Sequence, residues 1–440
     1  MKLLVFIPLS LSCFIVVLGC SNYHATPQQT APVPIDTGTS SIPQPEGSLS
    51  CKKHGCAGDG VSDDTESIRA TIADACQQGG GIVYLPAGTF KVQPQTLGED
   101  VLTLPCDNLT LTGAGKTFTA LSAFLFGGGT PNSSCPTINT PSGVEVWRGS
   151  GIVVTGTNNI VISNLTLNGH ALKTGDRNWP STVADCYGWD ITNKGINISN
   201  QYTGAFTLAH THITGFLGEL VYGGIYTNQF VITDNEIDTS NGDGISTSAG
   251  LVATSNTIHD LSNAGFEDEL FKSNQTISNN LIQNVVAGIV GISNSNSNAA
   301  SAGFLVSNNQ IISASQDGFM GIEIHNLALT NNTFIDSGTS RSAIYLENST
   351  SSTLGDTENV AISNNLIESK YAPIINAILF VSGNGGPTVS PWSVNLTITG
   401  NQMTQWLSTG GKIGAGVVHC SPSEAEEPGL TISGNSLTTE

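Results

Sequence analysis

One short pattern recurs from the middle of this chain to its end. Two apolar residues stand at i and i+2, a Ser or Thr follows, an Asn falls three places after the second apolar residue, and another apolar residue comes next. Phe230-Val231-Ile232-Thr233-Asp234-Asn235-Glu236-Ile237 is one copy, and Ile160-Val161-Ile162-Ser163-Asn164-Leu165-Thr166-Leu167 is an earlier variant. The closing Asn residues fall at 235, 256, 280, 309, 332, 365, 401 and 435, with gaps of 21, 24, 29, 23, 33, 36 and 34 residues. Self-similarity at this period marks stacked repeats. A unit this short cannot hold a strand–helix–strand crossover of ordinary length. The apolar alternation describes strands with one buried face. The arrangement that fits is a coil of two or three short strands, stacked at roughly 4.8 Å per rung around one continuous core. Longer gaps become loops on the same scaffold. Stacked at one turn, the Asn residues can tolerate left-handed backbone and ladder their amides along the axis. The Asn-x-Ser/Thr strings follow from this ladder and are no evidence of glycosylation.

An open end of such a stack exposes backbone and core, so it needs a cap. Asp63 or Asp64 can start a helix, Glu66 suits its first turn, and Ile68, Ile72 and Cys76 share one face. Gly79-Gly80-Gly81 stops it, and Ile82-Val83-Tyr84-Leu85 opens the first coil. The string from Gly58-Asp59-Gly60 to Asp64-Thr65, the helix, and Gly79 through Pro86-Ala87-Gly88-Thr89-Phe90 resembles the start of pectin-lyase-like proteins. It is most similar to the domain shared by rhamnogalacturonases, epimerase-like proteins, family-28-related glycosidases and phage tailspikes. The resemblance implies an all-β, right-handed, single-stranded parallel β-helix with an N-terminal capping helix. The implied hand agrees with the general chirality of parallel crossovers.

Before this domain the sequence reads as targeting. Lys2 precedes an apolar run from Leu3 to Leu18, which describes a secretory signal and is too short for a comfortable membrane span. Val17-Leu18-Gly19-Cys20 resembles the bacterial lipobox, which implies a signal over 1–19 and lipidation of Cys20. Ser21 in place of Asp favours an outer-membrane anchor. Residues 20–49 then form a lipidated Cys and a flexible Pro/Thr/Ser-rich tether. The β-helix domain runs over 50–440, with the capping helix and first coils in 50–130. Past Cys20 seven cysteines remain, an odd number, and Cys51 with Cys56 could staple the start of the domain. The net charge of −20 disfavours a nucleic-acid partner, because phosphate contacts need clustered Lys and Arg.

Between the Asn copies a Gly or Ala before an apolar residue opens another strand: Gly224-Ile225, Gly244-Ile245, Gly265-Phe266, Gly288-Ile289, Gly318-Phe319 and Ala343-Ile344. In enzymes of the resembled fold, catalytic groups protrude from one such sheet into a groove lined by long loops. With Ile245 and Phe266 inward, Glu267 and Glu269 point outward, their Cα atoms roughly 6.5–7 Å apart. Such a pair can act as glycosidase carboxyls or hold Ca²⁺; the alternative is a solvated acidic turn. Strict alternation turns Asp268 inward, a costly place for a charge, so a bend is expected there. Asn241-Gly242-Asp243-Gly244 resembles the first acidic motif of polygalacturonases, which makes Asp243 a candidate carboxylate, although Asp-Gly also serves turns. Asp317-Gly318-Phe319 recurs without motif partners. The rest of that family's set is absent: Asn263-Ala264-Gly265 and Val286-Ala287-Gly288 stand where paired Asp and Gly-His-Gly would.

The insertion 168–193 gathers Lys173, Arg177, Trp179, Tyr187 and Trp189, residues suited to sugar stacking and uronate pairing. Packing over the helix side is its bland alternative. His210 and His212 alternate with apolar residues and are assigned to structure. The expectation is a surface-anchored polysaccharide-active protein, a glycoside hydrolase using Glu267, Glu269 and Asp243, with no required cofactor. The alternatives are a polyuronate lyase or epimerase with Arg177 or Lys173 as base and Ca²⁺ held by acids, and a non-catalytic glycan-binding adhesin.

Overall fold

A computed structural model describes residues 14–15, 41–94, 99–117, 119–123, 139–140, 143–144, 149–156, 158–170, 194–199, 204–223, 229–248, 250–268, 274–292, 303–348, 357–382, 393–420 and 430–440. The chain winds as a right-handed parallel β-helix. Each coil contributes to three strips. The second strip is a sheet of thirteen strands, which includes Ile160–Ser163, Phe230 within Gln229–Thr233, Leu251–Thr254 and Gln275–Ser278 in sequential parallel pairing. The third strip follows the Asn turn and contains His212–Phe216, Glu236–Ser240 and Thr257–Leu261. The first strip contains Ile196–Ile198, Val221–Gly223, Ile245–Thr247 and Ala264–Asp268. In Leu281–Ile292 and Gln310–Ile322 the third strip runs on into the first as one long strand.

Inward residues stack rung on rung. Val221, Ile245, Phe266, Ile289, Phe319 and Ile344 are aligned in register and buried. This alignment bears out the Gly-apolar pattern from Gly244 onward and corrects its first copy. The partner of Ile245 is Val221, so the rung begins at Leu220-Val221 and not at Gly224-Ile225. At Gly288 a Cβ would lie 2.3 Å from the Gly318 carbonyl oxygen, which is why the column accepts no larger residue there.

The Asn ladder runs unbroken from 235 to 435. Asn235 accepts from the N–H and hydroxyl of Thr211, and each later Asn accepts the backbone N–H and side-chain Nδ2–H of the Asn one rung earlier, as in Asn280 to Asn309 at 3.0 and 2.9 Å. Its own Nδ2–H also reaches a carbonyl oxygen behind it, as Asn309 does to Ile277 at 2.8 Å. The left-handed conformation belongs to the preceding residue, at Asp234, Ser255, Asn279, Asn308, Asn331 and Asn364. Two adjacent positions thus divide the work: one turns the backbone and the next supplies the amide.

The cap forms as the sequence requires. A helix spans Thr65–Gln77 and buries Ile68, Ile72 and Ala75 against the first coils. Asp63 accepts the Thr65 N–H at 3.0 Å, while Asp64 accepts from Ala57 and Gly58 at 2.6 and 2.9 Å and ties the preceding loop to the helix start. The covalent staple here is Cys76–Cys106. Cys51 and Cys56, expected as a staple, are instead buried free thiols hydrogen-bonded to each other. Cys20 and the rest of residues 16–40 lie outside the described residues, whereas at the end of the segment expected as tether the Ile42 N–H donates to the Ala114 carbonyl at 2.7 Å and Leu49–Ser50 pairs in parallel with Gly81–Leu85.

Candidate active site

The outer face of the first strip carries the acids. Its outward row aligns Asn197, Tyr222, Ser246, Glu267, Val290, Met320 and Tyr345 on successive rungs. Asp243 precedes the strand Ile245–Thr247 and is 3% exposed. One carboxyl oxygen accepts the N–H of Ala264 on the next rung at 2.9 Å, and the group is hydrogen-bonded to Glu267. Burial, then the Glu267 charge and hydrogen bond, then Glu219, push the Asp243 pKa well above the ordinary carboxylate range. Two adjacent carboxyls in a desolvated site cannot both ionise cheaply, so the pair holds a proton.

Glu219 stands one rung before Asp243 and pairs with Lys194 at 3.3 Å. The Lys194 ammonium lies 3.2 Å from the centroid of the Tyr222 ring. Sequence reasoning missed Glu219, Lys194 and Tyr222. The signal that could have found them was the rung alignment: with Leu220-Val221 set beside Gly244-Ile245, Glu219 falls level with Asp243.

Three rungs along from Asp243 in the same column is Asp317, fully buried. It is not a bare turn residue. The Nε–H of Arg341 reaches both its oxygens at 2.9 Å, and the guanidinium stacks 3.8 Å from the centroid of Tyr345. Burial pushes the Asp317 pKa up to about 6 against the pull of Arg341. The Tyr345 hydroxyl donates to Glu347 at 2.8 Å, and burial raises that phenol.

The strand does not bend at Asp268. Glu267 stays opposite Val290 and Asp268 opposite Gly291. Asp268 is buried, and the side-chain amide of buried Gln275 donates to it, which removes the cost that a bend was expected to relieve. Of the candidates from sequence, Asp243 and Glu267 come together. His212 is on the third strip, its Nε2 2.9 Å from Asp238, and His210 is an exposed turn residue. Glu269, Lys173, Arg177, Trp179, Tyr187 and Trp189 lie outside the described residues.

Comparison with known proteins bears on this face and fold. The mannuronan C5-epimerase AlgE6 of Azotobacter vinelandii is 28% identical over 199 residues, covering 40% of this chain and 21% of that protein. Alginate lyase 7 of the same organism is 41% identical over 64 residues, 14% of this chain and 8% of its own. The chain therefore spans about a fifth or less of these relatives. Among solved structures, the catalytic unit of a GH87 α-1,3-glucanase from Streptomyces thermodiastaticus superposes with TM-score 0.52 at 17% identity, over 90% of this chain and 70% of that one. The family 28 exopolygalacturonase of Yersinia enterocolitica gives 0.52 at 15%, over 89% and 77%. These two share the fold. Residues 48–290, over half the chain, match the family described as rhamnogalacturonase A/epimerase, pectate lyase-like, and the chain belongs to that family.

Proposed function

We propose that this protein is a polysaccharide-active enzyme, a glycoside hydrolase working by carboxyl acid–base chemistry on the outer face of the first strip. The observation that carries this reading is the hydrogen-bonded Asp243–Glu267 pair, in which burial and the neighbouring charge favour the protonated carboxyl. Asp243 is too enclosed to touch a sugar, so it acts as a positioning residue and proton reservoir. Glu267, half-buried, donates the proton to the leaving glycosidic oxygen as the C–O bond breaks. Glu219, held by Lys194 at 3.3 Å, takes a proton from the water that adds at the anomeric carbon. Glu219 and Glu267 are two rungs apart, roughly 9.6 Å along the stack. No cofactor is required.

The test is a screen of plant and bacterial polysaccharides with two readouts, reducing ends and ultraviolet absorbance of unsaturated sugars. Hydrolysis gives the first without the second. Glu267→Gln is expected to lower kcat by about 10²–10⁴-fold with the fold intact; a full-rate variant sinks the assignment.

A second reading, a polyuronate C5-epimerase or lyase, is favoured by the names of the curated relatives together with the Lys194–Tyr222 stack, a cation and a phenol on the same face. Ultraviolet-absorbing product, or exchange of the C5 hydrogen without chain cleavage, would select it, and loss of either on chelation would add Ca²⁺ to it. We place the enzyme at the outer membrane through a lipid on Cys20. Cys20→Ala is expected to move the protein from the membrane to the soluble fraction; an unchanged membrane association would refute the anchor.

A further inference from the structure

The third strip carries a second cluster of titratable groups, on a different strip from the acid pair. Three successive rungs bring together His212, then Glu236 and Asp238, then His259. The Nε2 atoms of both histidines converge on one oxygen, Asp238 Oδ2, at 2.9 Å from His212 and 3.6 Å from His259. His259 Nε2 also lies 3.9 Å from Glu236 Oε1. Ligand atoms of His212, Glu236 and Asp238 all fall within 4.8 Å of one another.

We propose that His212, Glu236, Asp238 and His259 form a binding site for a divalent transition-metal ion of the zinc class. Metal–nitrogen and metal–oxygen bonds of about 2.0–2.1 Å place neighbouring donors of a tetrahedral site about 3.3 Å apart. The separations of 2.9, 3.6 and 3.9 Å lie around that edge, His212, Glu236 and Asp238 already share it within 4.8 Å, and rotation of the partly exposed His259 about the buried Asp238 brings in the fourth donor. Two imidazoles select against Ca²⁺ and Mg²⁺, which take oxygen.

The surroundings are those of a metal site. His259 Nδ1 bonds to the Asp260 carboxylate at 2.9 Å, and Asn284 donates to the other oxygen of Asp260 at 3.2 Å. A carboxylate on one imidazole nitrogen, with the other nitrogen facing the ion, fixes the tautomer and strengthens the ligand. Nε2 of His259 faces the carboxyl groups of Glu236 and Asp238, a setting that a cation satisfies. Thr214 holds the second oxygen of Asp238 by a hydrogen bond. Lys116 takes Glu236 Oε2 at 3.4 Å and leaves Oε1 for the ion. The chain's charge of −20 favours cation binding throughout. An ion here would clamp three rungs of the coil.

The experiment uses the full chain, stripped with chelator and titrated with Zn²⁺ and Co²⁺. One ion per chain is expected, with a rise in the heat-unfolding midpoint and with Zn²⁺-induced shifts of two imidazole signals among the 8 histidines. His212→Gln and Glu236→Gln should each weaken binding at least tenfold, and Asp260→Asn by about 10–100-fold. If a variant fails to fold, the wild-type imidazole shifts decide alone. No saturable binding, affinity unchanged in the folded variants, or a thiolate-to-cobalt band assigning the ion to cysteine would each overturn the proposal.

Discussion

A carboxyl with almost no access to water is a poor anion, and Asp243 is such a group. Its pKa is raised by burial first and by Glu267 second, so its neutral form persists above the ordinary carboxylate range. The linkage has a definite sign. Unfolded, the group titrates near 3.8; folded, it titrates higher, so its contribution to stability is present below the unfolded value and lost as pH rises through the folded one. Asp243→Asn removes that titration and keeps the shape. The variant should therefore gain stability relative to the wild type as pH rises, read as the difference in heat-unfolding midpoint across a pH series, while losing most of its turnover. A difference that stays flat with pH would mean that Asp243 titrates alike in the folded and unfolded chain. Asp243 and Glu267 were legible in sequence because a turn motif and strand alternation mark them. Glu219 and Lys194 were not, since which residue lies beside Asp243 one rung back depends on loop lengths that carry no period.

Elements in this fold hold together through contacts between rungs more than within them, and the Asn ladder shows why the repeat was so readable. Every copy meets the same demand: a backbone that turns sharply under the core and leaves amide groups needing partners away from water. Asn309 alone accepts from Asn280 twice and donates to Ile277 and Asn332. Asn309→Ala strands the Asn280 N–H and the Ile277 carbonyl in a buried turn. Leaving such groups unpaired costs on the order of 3 kcal/mol. The expected result is a large fall in the denaturant midpoint, with a smaller fall for the same change at Asn435, where the ladder ends with partial exposure. Equal effects at both positions would show that the ladder follows the fold and does not support it. The opening of the stack was legible for a related reason, as its glycines and acids serve one cap. Disulfide partners were not, because Cys76 and Cys106 are joined by the packing of helix on coil, with no signature in spacing.

For the molecule as a whole, charge and shape act together on how a polymer arrives. Thirteen stacked strands span on the order of 58 Å, long enough to lie beside several sugar units. The net charge of −20 spreads a negative potential over that length. On the outer face of the first strip Lys194 is tied to Glu219 and Arg341 to Asp317, so both cations are largely neutralised before any substrate arrives. A polyuronate must then approach against like charge, whereas a neutral glucan feels nothing. Screening length falls from about 30 Å at 0.01 M salt to about 8 Å at 0.15 M. Across that range kcat/KM on a polyuronate should rise severalfold through faster association, and on a neutral polysaccharide it should stay level. Measured side by side on the same preparation, the two slopes separate the field of the whole chain from the local charges of the first strip. A polyuronate rate that falls with salt would mean that Lys194 and Arg341 leave their acids for the substrate, and that this face is built to recognise an anion.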